Sequence, residues 1–143
     1  MSNLQLARSA IERAQRWLQG ATRALEDKRW DDVVYSSQMT VEHSVKSILI
    51  AFGIYFPREH DVSDIFEEMR GRGDIPDWFK GMVPEIAKAM SELAELRGLA
   101  GYSFEKGVNC NYFRDYAPEA LKSAKRTHEA CLRLLTELFM TGT

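Results

Sequence analysis

The segment Leu93–Gly107, LAELRGLAGYSFEKG, sets an arginine, Arg97, five residues before a tyrosine, Tyr102, where a helical run of Leu and Ala meets two glycines. A guanidinium on a late helical turn can take a phosphate through two parallel hydrogen bonds. A tyrosine beside it can stack on a base or donate a hydrogen bond. The pair also has a plainer reading: an arginine near the negative C-terminal end of a helix, and a tyrosine at the rim of a core.

Other residue types in the chain could do chemistry as well. Glu42 and Lys46 stand four apart in the order that favours an intrahelical ion pair, worth about 0.2–0.5 kcal/mol. The same two side chains could reach across a bundle or line a nucleotide pocket. His43 beside them lacks an acidic and histidine set at metal-ligand spacing. REHD, Arg58–Asp61, holds a His–Asp neighbour pair. Asp61 reads as a helix N-cap, and His60 either packs at a helix entry or joins partners that only the fold can bring to it. RGRG, Arg70–Gly73, is either an anion-binding scrap or a flexible helix exit. Lys122, Lys125, Arg126 and Arg133 form a basic stripe on the last helical segment. That stripe is either a solvated face or, with the segment after Arg97, one local patch. No phosphate-binding glycine loop, CxxC, HExxH or EF-hand loop occurs, so neither a metal nor a cofactor is expected. Cys110 and Cys131 allow one disulfide, but read as free thiols of a cytoplasmic protein.

The elements that must position these residues are helical. Leu4, Ala7, Ile11, Ala14, Leu18, Ala21 and Leu25 step by three and four, which predicts an amphipathic helix from about Leu4 to Glu26. Arg8, Glu12, Arg16 and Arg23 lie off its apolar stripe. After a short turn, Val34, Gln38, Val41, Val45, Ile48 and Phe52 share a face of a second helix, Trp30 to Phe52, with Asp31 or Asp32 at its positive end and Gly53 as its stop. Val62, Ile65, Phe66 and Met69 predict a short third helix, and Pro76 to Gly81 reads as a turn carrying Trp78 and Phe79. Ile86, Ala89, Met90, Leu93 and Leu96 line a fourth, starting near Met82 or Val83 and weakening at Gly98 and Gly101, each glycine costing about 1 kcal/mol relative to alanine. The last helix runs from about Asp115 to Phe139 with Pro118 in its first turn, and buries Ala117, Ala120, Ala124, Cys131, Leu134, Leu135 and Leu138.

No segment alternates long enough for a sheet. The expected fold is all-α: an up-down bundle of four long helices plus one short helix, forming a single domain over residues 1–143. With 45% hydrophobic and 28% charged residues the chain has the composition of a globular protein rather than a disordered one. Its net charge of −2 means that nucleic acid could be held only by a local basic patch. The first residues lack the apolar core of a secretory signal, and no apolar run is long enough to span a bilayer.

This layout resembles the HEPN family over nearly the whole chain. The resemblance is carried by SSQMTVEHSVKSILIAFG in the second helix, by the His60–Asp61 pair opening a short helix, by RGLAGY closing the fourth, and by the alanine-rich YAPEALKSAKRTHEACLRLL. It implies a small helical domain, often dimeric, found in prokaryotic toxin–antitoxin or defence systems and frequently encoded beside a minimal nucleotidyltransferase. Active relatives are metal-independent endoribonucleases in which an arginine binds phosphate and a histidine four to six residues on handles protons at the ribose 2′-hydroxyl. Here Tyr102 stands in that window, and the next histidine is His128. A phenol with an ordinary pKa near 10 is a poor base at neutral pH.

The resemblance therefore implies a homodimeric module that binds a nucleotide or RNA at Arg97 and Tyr102, with Glu42, Lys46 and His60 as further candidates, and with a nucleotidyltransferase as possible partner. Two alternatives stand beside it. One is a divergent endoribonuclease using Arg97 with Tyr102 or His60; the other is a partner-binding bundle without a ligand.

Overall fold

The computed structural model describes residues 2–101, 105 and 107–140. Four long helices carry the chain: α1 (Asn3–Glu26), α2 (Trp30–Ala51), α5 (Val83–Gly101) and α6 (Ala117–Phe139). Between α2 and α5 lie α3 (Ser63–Glu67), which runs on into a 3₁₀ turn (Glu68–Gly71), and a single helical turn, α4 (Asp77–Lys80). A second 3₁₀ turn, Cys110–Phe113, precedes α6. There is no strand among the described residues, and the all-α bundle follows from the helical periodicity.

Three of the ends of α1 and α2 have a local cause. Ser2 and Gln5 form a capping box: the Gln5 N–H donates to Ser2 Oγ at 3.2 Å and the Ser2 N–H donates to Gln5 Oε1 at 2.8 Å. Helix α2 ends in a Schellman motif. Gly53, at φ 69°, donates to the Ile50 carbonyl, and Ile54 donates to that of Leu49. Helix α1 ends in the same motif, but its left-handed position is Lys28, at φ 61°. The turn at EDKRW thus contains a strained non-glycine residue. Arg29 then leads into α2, paired with Asp27 and Asp32.

Helix α2 packs on α1, α5 and α6. Only Asp32 among its residues is exposed, and its small buried residues Ser37, Thr40, Ser44 and Ser47 let the neighbouring helices approach. The core joins Ile11 and Ala14 of α1, Val41, Val45 and Ile48 of α2, Met90 of α5, and Leu134 and Leu135 of α6. The α3 segment closes one end, where Phe66 and Phe79 meet edge to face at 5.9 Å.

Four details differ from the sequence expectation. Leu138 is exposed rather than part of the inner face of α6. The Pro76–Gly81 stretch forms a helical turn, α4. Asp61 accepts the Ser63 N–H at 2.9 Å from one position before the N-cap, Val62. Finally, α5 runs through Gly98 and ends at Gly101 instead of fraying between them. Tertiary contact outweighs the glycine propensities there. Gly101 lies against the Tyr35 ring of α2, where a Cβ would sit 3.6 Å from Cε2.

Candidate functional site

Arg97 lies on the last turns of α5 and reaches α2. Its Nη2 donates to the Tyr35 hydroxyl at 3.0 Å, and its guanidinium carbon sits 4.8 Å from the centroid of the same ring. Its Nε is buried without a hydrogen-bond partner among the described residues. Tyr35 in turn packs 6.0 Å from Trp17 of α1, and the Arg13 guanidinium stands 5.4 Å over the Trp17 ring. Two cations thus flank a pair of rings across three helices: Arg13, Trp17, Tyr35, Arg97. A cleft of about 280 Å³ opens beside Trp17, lined also by Arg13, Arg16, Gly20 and Ser36.

Tyr102 lies outside the described residues. The structure brings the other three candidates together, but around Glu42. The buried Glu42 carboxylate accepts Gln38 Nε2 at 2.9 Å, Lys46 Nζ at 3.1 Å and His60 Nδ1 at 2.8 Å. Lys46 Nζ also donates to the Glu59 carbonyl at 2.7 Å and stands 5.5 Å over the Phe56 ring. Burial acts to raise the Glu42 pKa, but the bonds from Gln38 and His60 and the Lys46 charge outweigh it, so the carboxyl titrates below its ordinary range. The cluster ties the chain between α2 and α3 down onto α2. Arg97 makes contact seven residues earlier on α2, at Tyr35, which is about 10 Å away along the helix axis.

The remaining sequence candidates are engaged elsewhere. Arg72 of RGRG forks onto Asp74 with two bonds of 2.9 Å and lies over Phe52. On α6, Arg126 forks onto Glu85, while Arg133 binds Glu137 at 2.9 Å and stacks 3.9 Å over Trp78. The basic stripe is therefore partly neutralised. His43 Nδ1 hydrogen-bonds the Met39 carbonyl at 2.8 Å, and burial lowers the His128 pKa despite Glu129 nearby. No cluster of three metal-ligating side chains exists among the described residues. Cys110 and Cys131 are free, and burial pushes the Cys131 thiol far up.

Sequence reasoning missed Arg13, Trp17 and Tyr35. A local signal existed for the first two, four apart on α1 and off its apolar stripe. Tyr35 carried none, since its partner Arg97 is 62 residues away.

An all-α bundle with an arginine at the end of its penultimate long helix, held against the central helix, defines a class of small helical domains. The family model described as HEPN domain matches residues 7–134, and the chain belongs to that family. It is 31% identical over 142 residues to a protein of Methanocaldococcus jannaschii named "Putative toxin MJ1304", covering 96% of this chain and 93% of the relative. No solved structure gives a significant match. No helix among the described residues is long and apolar enough to cross a membrane.

Proposed function

We propose that this chain is the toxin-type HEPN protein of a toxin–antitoxin system and that it binds a phosphate of a nucleotide or RNA through Arg97. Family membership and the name of the archaeal relative support the toxin assignment. One observation carries the site: Tyr35 fixes Arg97 by ring and hydroxyl, yet no carboxylate among the described residues pairs with the guanidinium. A positioned, unneutralised guanidinium is suited to an anion. Binding is favoured over cleavage because the described contacts of His43, His60 and His128 do not include Arg97. A homodimer, and a nucleotidyltransferase as protein partner, belong to the same proposal.

Fluorescence anisotropy with a labelled RNA, and calorimetry with ATP, test the assignment. Arg97→Ala should weaken binding at least about tenfold, the loss of one charge-assisted hydrogen bond. Unchanged binding of both probes would overturn it. RNA cleavage in EDTA that Arg97→Ala abolishes would replace the binding reading with the endoribonuclease one.

A further inference from the structure

Helices α5 and α6 each pack on α2 but touch one another at few points. The gap between them opens as a cleft of about 810 Å³, walled by Leu96 and Leu99 of α5 and by Tyr112 and Tyr116 from the lead-in to α6. A smaller cleft of about 180 Å³ shares Glu92, Leu96 and Tyr116 with the first, so the two form one groove along α5. Its floor reaches Leu93 and Ala120, which belong to the core. Tyr112 and Tyr116 are 49% and 44% exposed, with ring centroids 5.9 Å apart. Large rings left half in water around an apolar cleft mark a surface that another molecule covers.

The charge on this groove has one sign. Glu92, Glu95, Asp115 and Glu119 line it, and no basic residue does among the described residues. Arg114 and Lys122, near them in sequence, lie outside the lining. Three other clefts each carry two basic side chains or more: Arg23 and Lys125, Arg126 and Arg133, Arg13 and Arg16. Glu92 meets Lys88 only at 3.8 Å, with both side chains largely exposed. Glu95, Asp115 and Glu119 form no ion pair among the described residues. Such a surface repels a polyanion and draws a cationic partner.

We propose that the groove between α5 and α6 is a docking site for a basic amphipathic helix of a partner protein. The occupant is a helix because the groove lies between two helices already held on α2, where a further helix packs in the same way. From Ala89 to Leu99 the groove runs about 15 Å, at about 1.5 Å of rise per residue, which is about three turns of such a helix. Apolar side chains three and four residues apart enter between Leu96, Leu99 and the two tyrosines. Lysines or arginines on the flanks of the same helix meet the carboxylates. The site is separate from that of Arg97, which reaches Tyr35 and does not line the groove.

Fluorescence anisotropy tests this with a labelled fourteen-residue peptide that carries leucine at helical steps of three and four and lysine elsewhere. A counterpart has glutamate in place of lysine. The wild type, Glu95→Lys/Glu119→Lys and Tyr112→Ala are compared; all three side chains are exposed, and a thermal melt confirms that each variant is folded. The lysine peptide should bind the wild type and lose at least about fivefold in affinity with either variant. The glutamate peptide should bind the double variant more tightly than the wild type. Failure of the lysine peptide to bind the wild type overturns the docking site, and so does equal binding of the two peptides. Loss of affinity with one variant and not the other overturns it as well, since charge alone or apolar contact alone is not docking of this helix. Sedimentation equilibrium covers the remaining occupant. A dimer that Tyr112→Ala dissociates and the lysine peptide competes away assigns the groove to a second copy and overturns the proposal; an assembly state unchanged by Tyr112→Ala supports it.

Discussion

Tyr35 holds Arg97 from two directions, through its ring face at 4.8 Å and through its hydroxyl at 3.0 Å. The two residues stand on α2 and α5, and the contact sets where the guanidinium points. Tyr35→Phe keeps the ring and removes the acceptor. The expected cost in stability is about 1 kcal/mol. RNA affinity should fall less than with Arg97→Ala, because the cation remains and only its orientation loosens. Melting curves and anisotropy on the same preparation check both parts.

The Glu42 cluster makes stability depend on acid. Glu42 titrates below its ordinary range in the folded chain, so the unfolded chain takes up the proton first as pH falls. Its stabilising contribution is complete above the unfolded carboxylate pKa and is lost as pH drops through the folded one. Urea melts from pH 7 to pH 3 should therefore show a decline that is shallower in Glu42→Gln over the acid window. Glu42→Ala should cost about 2–3 kcal/mol at pH 7, since Gln38, Lys46 and His60 all lose a charged partner.

Lys28 occupies the left-handed position that closes α1, at φ 61°. Glycine reaches that conformation without the steric penalty of a Cβ. Lys28→Gly should raise stability by about 0.5–1 kcal/mol, the greater freedom of glycine in the unfolded chain offsetting part of the gain. Denaturant unfolding with an unchanged slope and a higher midpoint is the expected result.

Gly20→Ala adds a methyl group to an exposed helical position with no neighbour to strike. It should stabilise by about 1 kcal/mol, raising the melting temperature by roughly 3 °C. A lower melting temperature would show that the glycine serves the fold rather than the surface.

The two thiols should react at very different rates. Cys131 is fully buried in the core, with its thiol pushed far up, whereas Cys110 is half-buried and hydrogen-bonded by the Trp30 N–H at 3.3 Å. A maleimide should label Cys110 in the native protein and reach Cys131 only in denaturant, as read by peptide mass spectrometry.

Apolar steps of three and four residues, Asp31 and Asp32 at a helix start and Gly53 at a helix end were enough to place the four long helices and, Leu138 apart, most of their inner faces. These are interactions within one or two turns, so local order specifies them. The i, i+4 pair of Glu42 and Lys46 was legible for the same reason. That His60 would close on Glu42 was not, because 18 residues and a turn separate them. Arg97 could be singled out as a candidate from its place near the end of a helix, but its contact with Tyr35 could not. Only the packing of α1 and α5 on α2 brings Arg13, Trp17, Tyr35 and Arg97 into one ladder. The same packing carries α5 through two glycines that local propensity alone would make a helix end. Periodicity tells which face of a helix is buried; it does not tell which neighbour buries it, and the candidate site is built from that second choice.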